Sequence, residues 1–241
     1  MNIEGTSILI TGACGGIGSS LIEQFVLKKA KKIYATDLNI HNLNQLQKKF
    51  GDIIVPLELD VTQPEAINAC KSKCQDIDIL VNNAGIECAT SFLNEKSLSS
   101  SNIEMAVNYF GVHNLCFTFW TLLKEKKSAA IVNILSIASF SLILKLGTYC
   151  ASKTATHLLT QALRKESEGT SIKIYGVYPG YVDTKMTQNI NVEKASPQQI
   201  AIEVCDGIEN GILNIFPDPM STKLASKIAY ESHIFCDFNV V

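Results

Sequence analysis

The chain has 241 residues, 46% of them hydrophobic and 18% charged, with a formal net charge of -2, so it can bury a full core and is not of disordered composition. That balance offers no electrostatic footprint for nucleic acid, and no apolar run reaches the ~18 residues of a membrane span. Eight cysteines without a C-x-x-C pair, and four histidines isolated from one another, give no metal-ligand spacing and read as free thiols of a reducing compartment.

The first residues reach glycine at position 5 and carry Glu4, which fits neither a signal peptide nor a transit peptide, so a soluble cytoplasmic protein is expected. Ser7 to Ile10 is a short apolar run stopped by Thr11-Gly12 and reads as a buried parallel strand. The stretch Thr11-Gly12-Ala13-Cys14-Gly15-Gly16-Ile17-Gly18 then leads into an amphipathic segment through Ile22, Phe25 and Val26. A glycine turn between strand and helix lets the backbone approach a pyrophosphate, whose charge sits at the helix N-terminus. The basic run Lys28-Lys29-Ala30-Lys31-Lys32 reads as the end of that helix and a solvated turn. Lys32 to Thr36 is a second strand closed by Asp37, a position from which a carboxylate accepts hydrogen bonds from ribose hydroxyls and repels a 2′-phosphate.

The alternation continues with a strand from Ile53 to Leu59, ending at Asp60-Val61, and a helix from Pro64 to Cys74. A strand from Ile77 to Val81 runs into Asn82-Asn83-Ala84-Gly85, and a long helix from Ser101 to Lys126 carries Asn108. Ala129 to Leu135 is a fifth strand, followed at once by Ser136; Thr148 to Glu168 is a helix and Ile172 to Tyr178 a sixth strand. A helix over Pro197 to Asn210, a short strand over Ile212 to Phe216 and a terminal helix over Met220 to Tyr230 complete the chain. This rhythm predicts one α/β domain over residues 1–241, a Rossmann-type doubly wound parallel sheet flanked by helices, with a short tail at 217–241.

Tyr149 and Lys153 are four apart on the predicted helix, which stacks them on one face. An ammonium beside a phenol favours the phenolate, so the spacing predicts a tyrosine tuned downward for proton transfer. The chain holds a second Tyr-x-x-x-Lys, Tyr181 with Lys185, and spacing by itself leaves the two pairs open.

Taken together these segments resemble the short-chain dehydrogenase/reductase family over residues 5–216. Thr11-Gly12-x-x-x-Gly16-x-Gly18, with Ile17 inside it, is similar to that family's cofactor turn, Asp60-Val61 to its adenine-contacting pair and Asn82-Asn83-Ala84-Gly85 to its strand-four motif. Asn108, Ser136 and Tyr149-x-x-x-Lys153 match its catalytic residues, and Pro179-Gly180-x-Val182-x-Thr184 its loop over the nicotinamide. The resemblance selects Tyr149 and Lys153 as the active pair. It departs at Asn214 to Ser221, where the family's usual C-terminal strand is missing.

The resemblance implies hydride transfer between a nicotinamide and a carbonyl or secondary alcohol. Tyr149 is then the acid/base, Lys153 lowers its pKa and holds the nicotinamide ribose, Ser136 orients the substrate oxygen, and Asn108 fixes a water beside Lys153. A catalytically idle dinucleotide-binding sensor is the alternative, against which the complete Asn-Ser-Tyr-Lys set speaks. Asp37 and the non-basic Cys14-Gly15 predict NAD in preference to NADP. The apolar stretch from Asn108 to Leu123, together with the resemblance, predicts a homodimer or homotetramer. Ile86 to Thr90, Ile137 to Leu144 and Tyr181 to Val192 are expected to line the substrate pocket. The apolar, uncharged character of the middle segment, and the distance of the lone arginine, Arg164, predict an uncharged, mostly apolar small-molecule ketone or alcohol. The polar loop Gln188 to Asn191 is placed to close over it.

Overall fold

The computed structural model describes residues 1–230. Seven strands form one sheet: β1 Ser7–Thr11, β2 Lys32–Asp37, β3 Ile54–Glu58, β4 Ile79–Asn82, β5 Ala129–Ile134, β6 Ile172–Val177 and β7 Asn214–Ile215. Their spatial order is β3-β2-β1-β4-β5-β6-β7, with every neighbouring pair parallel. The helices are α1 Gly16–Leu27, α2 Ile40–Phe50, α3 Pro64–Lys73, α4 Ser97–Met105, α5 Val112–Lys124, α6 Gly147–Glu166, α7 Pro197–Asn210 and α8 Pro219–Tyr230.

Strand alternation sends Ile8 and Ile10 into one buried cluster, with Phe25 of α1 and Val204 of α7. Leu9 between them enters the opposite cluster, with Phe119 of α5. Helices cover both faces, which is why the strands read as unbroken apolar runs. The chain builds outward from β1 through β3, then returns to lay β4 on the other side of β1. The carboxyl ends of β1 and β4 therefore flank the crevice where such a sheet takes its ligand.

Two segments differ from expectation. The long helix begins at Ser97 and is widened by a π-helical turn over Ala106–Gly111, around Asn108. The last strand is cut to Asn214–Ile215, which pairs with Gly176 and Val177 of β6. The basic run is largely tied down: Lys28 pairs with Asp206 and Glu209 of α7 at 3.1 and 2.7 Å, and Lys32 with Asp76 at 2.9 Å. Of the expected tail at 217–241, residues 231–241 lie outside the described residues. Among the described residues the cysteines are free, no group of His, Cys, Asp or Glu could hold a metal, and no helix is long and apolar enough to cross a membrane.

Candidate active site

The first component is the turn after β1. Gly12 has φ +63°, a conformation that side chains other than glycine rarely adopt, and a Cβ there would sit 2.9 Å from Ala84 Cα. A Cβ on Gly16 would sit 2.7 Å from Thr184 Cγ2, and one on Gly18 would collide with the Gly12 carbonyl oxygen. Asn83 locks the turn against the end of β4: its Nδ2 donates to the carbonyls of Thr11 and Gly12, both at 2.9 Å. Thr11 Oγ1 in turn accepts from the backbone N–H groups of Asn83 and Ala84. Gly15 caps α1 with no side chain, so the first N–H groups of the helix are left for a ligand.

A cleft of about 340 Å³ opens over this turn, lined by Gly12, Gly16, Ile17 and Gly18 and by Asp37, Asp60, Val61, Ala84, Gly85 and Thr184. Asp37 is held at its rim: Oδ2 accepts from the Cys14 N–H at 3.0 Å and Oδ1 from the Leu38 N–H at 2.8 Å. Burial and the Asp37 charge push the Cys14 thiol up to about 12, so it stays protonated. A glycine cradle that admits no Cβ, a helix N-terminus and a carboxylate at the end of β2 fit a dinucleotide: pyrophosphate over the turn, adenosine ribose at Asp37.

A second cavity of about 120 Å³ adjoins the first, with Ile17, Gly85 and Thr184 lining both. Ser136, Tyr149 and Lys153 converge here, joined by Pro179, Gly180 and Val182 of the loop after β6. Ser136 sits just past β5, and its Oγ accepts from the Ala138 N–H at 3.1 Å while hydrogen-bonding to Tyr149. Lys153, one helical turn beyond Tyr149, is 5% exposed. Its Nζ donates to the Ile134 carbonyl at 2.9 Å and lies 5.8 Å from the Tyr149 ring centroid.

The electrostatics correct one expectation. Burial pushes the Tyr149 phenol above its ordinary pKa, the Glu87 and Glu104 charges add to that, and the Ser136 hydrogen bond offsets only part. Burial also lowers Lys153 to about 8, so its charge is itself marginal above neutrality. Tyr149 is therefore a phenol that holds its proton and can give it to a carbonyl oxygen.

Asn108 and Asn82 stand outside both cavities. Asn108 is fully buried; its Oδ1 accepts from the Ile86 N–H, and its Nδ2 donates to the Ile86 carbonyl and to Ser152 Oγ, all at 2.9 Å. It reaches the site through Gly85, where a Cβ would meet Asn108 Oδ1 at 3.3 Å and Lys153 Nζ at 3.4 Å. The π turn frees the Asn108 carbonyl to accept from Thr156 Oγ1 at 2.7 Å. Asn82, expected at the cofactor, turns its side chain into the core and donates to Asn133 Oδ1 at 2.8 Å. Strand alternation gives the cleft to its neighbour Asn83. The other spaced pair does not share a helix: Tyr181 precedes the bridge from Val182 to Ala195, whereas Lys185 opens a single 3-10 turn, Lys185–Thr187.

Two further residues were not named individually from the sequence, although Glu87 falls in the segment Ile86 to Thr90 expected to line the pocket. Glu87 lines the second cavity. Asp218, buried, accepts from the Gly180 N–H at 2.8 Å and the Ser221 N–H at 2.9 Å, tying the start of α8 to the loop over the pocket. Neither lies in a periodic segment; the apolar run around Glu87 and the proline after Asp218 were the available signals.

Comparison with known proteins identifies the family of the chain that carries these residues. The family model described as short chain dehydrogenase matches residues 6–195. The NADP-dependent 3-hydroxy acid dehydrogenase of Schizosaccharomyces pombe is 31% identical over 193 residues, covering 77% of this chain and 74% of that protein. A 3-oxoacyl-(acyl-carrier-protein) reductase of Vibrio cholerae is 28% identical over 198 residues, 80% of each chain. Among solved structures, a short chain dehydrogenase from Burkholderia cenocepacia in complex with NADP superposes with a TM-score of 0.90 at 30% identity, covering 96% of both chains. The turn after β1, the crevice between β1 and β4, and the Ser136-Tyr149-Lys153 cluster thus lie in a chain that belongs to the short chain dehydrogenase family.

Proposed function

We propose that this NAD(P)-dependent oxidoreductase acts on a small ketone or secondary alcohol without an anionic group, with NAD preferred over NADP. The observation that carries the reading is the convergence of Ser136, Tyr149 and Lys153 on a small cavity that adjoins the dinucleotide-shaped cleft. When bound, a nicotinamide dinucleotide supplies or accepts the hydride. Gly12, Gly16, Ile17 and Gly18 would hold its pyrophosphate, Asp37 its adenosine ribose, Asp60 and Val61 its adenine, and Pro179 to Thr184 its nicotinamide end.

The remaining chemistry belongs to the side chains. Ser136 Oγ donates to the substrate oxygen and fixes it beside the Tyr149 hydroxyl. Tyr149 passes its proton to that oxygen as the carbonyl is reduced and takes it back in the reverse direction. Lys153, with a pKa near 8, is poised to resupply a proton at neutral pH. Asn108 supports this indirectly, by bracing Ile86 and the Ser152 turn of α6.

The preference for a substrate without an anionic group rests on the cavity wall. It is formed largely by apolar side chains such as Ile137, Ile143, Leu146 and Ile190, and among the described residues its only carboxyl is Glu87 and its only amine Lys153. A carboxylate or phosphate finds no arginine fork there and meets a like charge. Arg164 is committed elsewhere, donating to the carbonyls of Ile174 and Leu213. Asp37 supports NAD because a 2′-phosphate placed against it brings two negative groups together. The exposed apolar side chains Leu98, Ile103, Phe110 and Phe117 along α4, the π turn and α5 support self-association as a homodimer or homotetramer. A cytoplasmic location is proposed with it, from the free thiols.

The test is kcat/KM for matched ketones, one neutral and one bearing a distal carboxylate, with NADH and NADPH. The reading expects at least a ~10-fold advantage for the neutral member, about 1.4 kcal/mol of transition-state preference. An advantage of that size for the charged member overturns it.

A further inference from the structure

The loop after β4 brings a carboxylate into a pocket that the proposed reaction does not need it for. Glu87 is half-buried on the wall shared with Ser136 and Tyr149. Its charge reaches the Tyr149 phenol, which lines the same cavity. Among the described residues no lysine, arginine or histidine forms an ion pair with it; burial and the neighbouring Glu104 push its carboxyl upward, and the Ala89 N–H is the group that steadies it. An anion without a countercharge, facing apolar side chains, is an unfavourable arrangement unless something in the cavity donates to it.

The loop is built to keep it there. Ala89 has φ +48°, a left-handed conformation that a residue with a Cβ adopts at a cost, and such strain is held in place by its surroundings. On one side Thr90 O accepts from Thr148 N and Thr148 Oγ1, at the start of α6. On the other, Glu104 Oε1 accepts from the Cys88 N–H at 2.7 Å. Glu104 is fully buried, and its Oε2 has no hydrogen-bond partner among the described residues. The wall of this cavity therefore carries an acceptor with no countercharge beside it among the described residues. Lys153, the one lysine or arginine among the described residues lining the cavity, is engaged with the Ile134 carbonyl.

We infer that Glu87 is a specificity-determining residue that accepts a hydrogen bond from a donor group on the substrate, a hydroxyl or a protonated amine, set apart from the reacting carbonyl. This rests on the proposed ketone/alcohol reading and narrows it: the substrate is apolar along most of its surface and carries a donor at one point. A carboxyl acceptor that loses its donor when the wrong substrate binds is left buried and unpaired, which is how such a site rejects the analogue lacking the group.

The experiment uses the full-length protein and ketones that differ only in a distal substituent: hydrogen, hydroxyl or ammonium, with the spacer length varied. For the wild type the best hydroxy- or aminoketone is expected to exceed its unsubstituted parent by ~10-fold or more in kcat/KM. In Glu87→Leu that ratio should collapse to about one or invert, because the acceptor is gone. Glu87→Gln separates the two donors: it keeps an acceptor oxygen, so a hydroxyl preference persists, whereas an ammonium preference is lost with the charge. Fluorescence titration with reduced cofactor checks that both variants are folded. Equal turnover of parent and donor-bearing ketones by the wild type, or a preference that survives in Glu87→Leu, overturns the assignment while leaving the ketone reading intact. Failure of every ketone and alcohol in the wild type overturns the ketone reading, and the role of Glu87 falls with it.

Discussion

Replacing Lys153 by methionine should make the protein more stable and inactive at once. The ammonium is 5% exposed, and burial lowers its pKa from 10.5 to about 8. Keeping it charged at pH 7 therefore costs the folded state about 3 kcal/mol. Methionine has a similar length and no charge, but it gives up the hydrogen bond to the Ile134 carbonyl, a loss of about 1 kcal/mol. The expected balance is a gain of about 2 kcal/mol at pH 7, or a rise in Tm of roughly 5 °C for a chain of this length. The pH dependence fixes the cause. The unfolded lysine binds its proton more tightly than the folded one, so wild-type stability climbs between pH 8 and pH 10.5 relative to the variant, and the variant's advantage shrinks over that window. Urea unfolding of wild type and Lys153→Met without cofactor, from pH 7 to pH 10, reads this directly. A variant less stable than wild type at pH 7, or a gap that does not change over the window, refutes the reasoning.

Three further outcomes are expected. Asp37→Ala should relax the cofactor preference by weakening NADH and tolerating NADPH, measured as two dissociation constants; tighter NADPH than NADH binding in the wild type contradicts the role given to Asp37. Asp218→Ala leaves the N–H groups of Gly180 and Ser221 without their acceptor, and should lower stability by about 2–4 kcal/mol while raising KM for cofactor, because the loop over the nicotinamide end loses its tether. Light scattering at micromolar concentration should report a dimer or tetramer, and a clean 26.4 kDa species contradicts the interface proposed along α4 and α5.

The parts of this architecture that are local were readable from the chain. Gly12, Gly16 and Gly18 stand where any Cβ meets backbone or Thr184, and that requirement leaves its mark as a glycine turn between an apolar strand and an amphipathic helix. Tyr149 and Lys153 share a helix face because they are four apart, and Ser136 follows the end of β5. What was not readable depends on residues brought together from a distance. The Tyr149 phenol moves up rather than down because burial, with the charges of Glu87 and Glu104 behind it, exceeds what the Ser136 hydrogen bond offsets, and the Tyr-x-x-x-Lys spacing does not encode that. The π turn at Asn108 adds a residue to a helical turn without disturbing the apolar pattern on either side. Which of Asn82 and Asn83 faces the cleft is settled by the residue at which β4 ends, a boundary that spacing does not resolve. Asp218 closes on Gly180 across 38 residues, a contact with no periodic signature.

The central claim is that Tyr149 delivers the proton while Ser136 and the glycine turn hold what it acts on. Its most direct test compares wild type with Tyr149→Phe in a ketone-reduction assay that follows consumption of the reduced nicotinamide, alongside cofactor binding by fluorescence titration. Phenylalanine keeps the ring and removes only the hydroxyl, so the account predicts unchanged cofactor affinity and a fall in kcat of at least ~100-fold, the scale of a lost general acid. Turnover within a few-fold of wild type, with the cofactor bound as before, would contradict it.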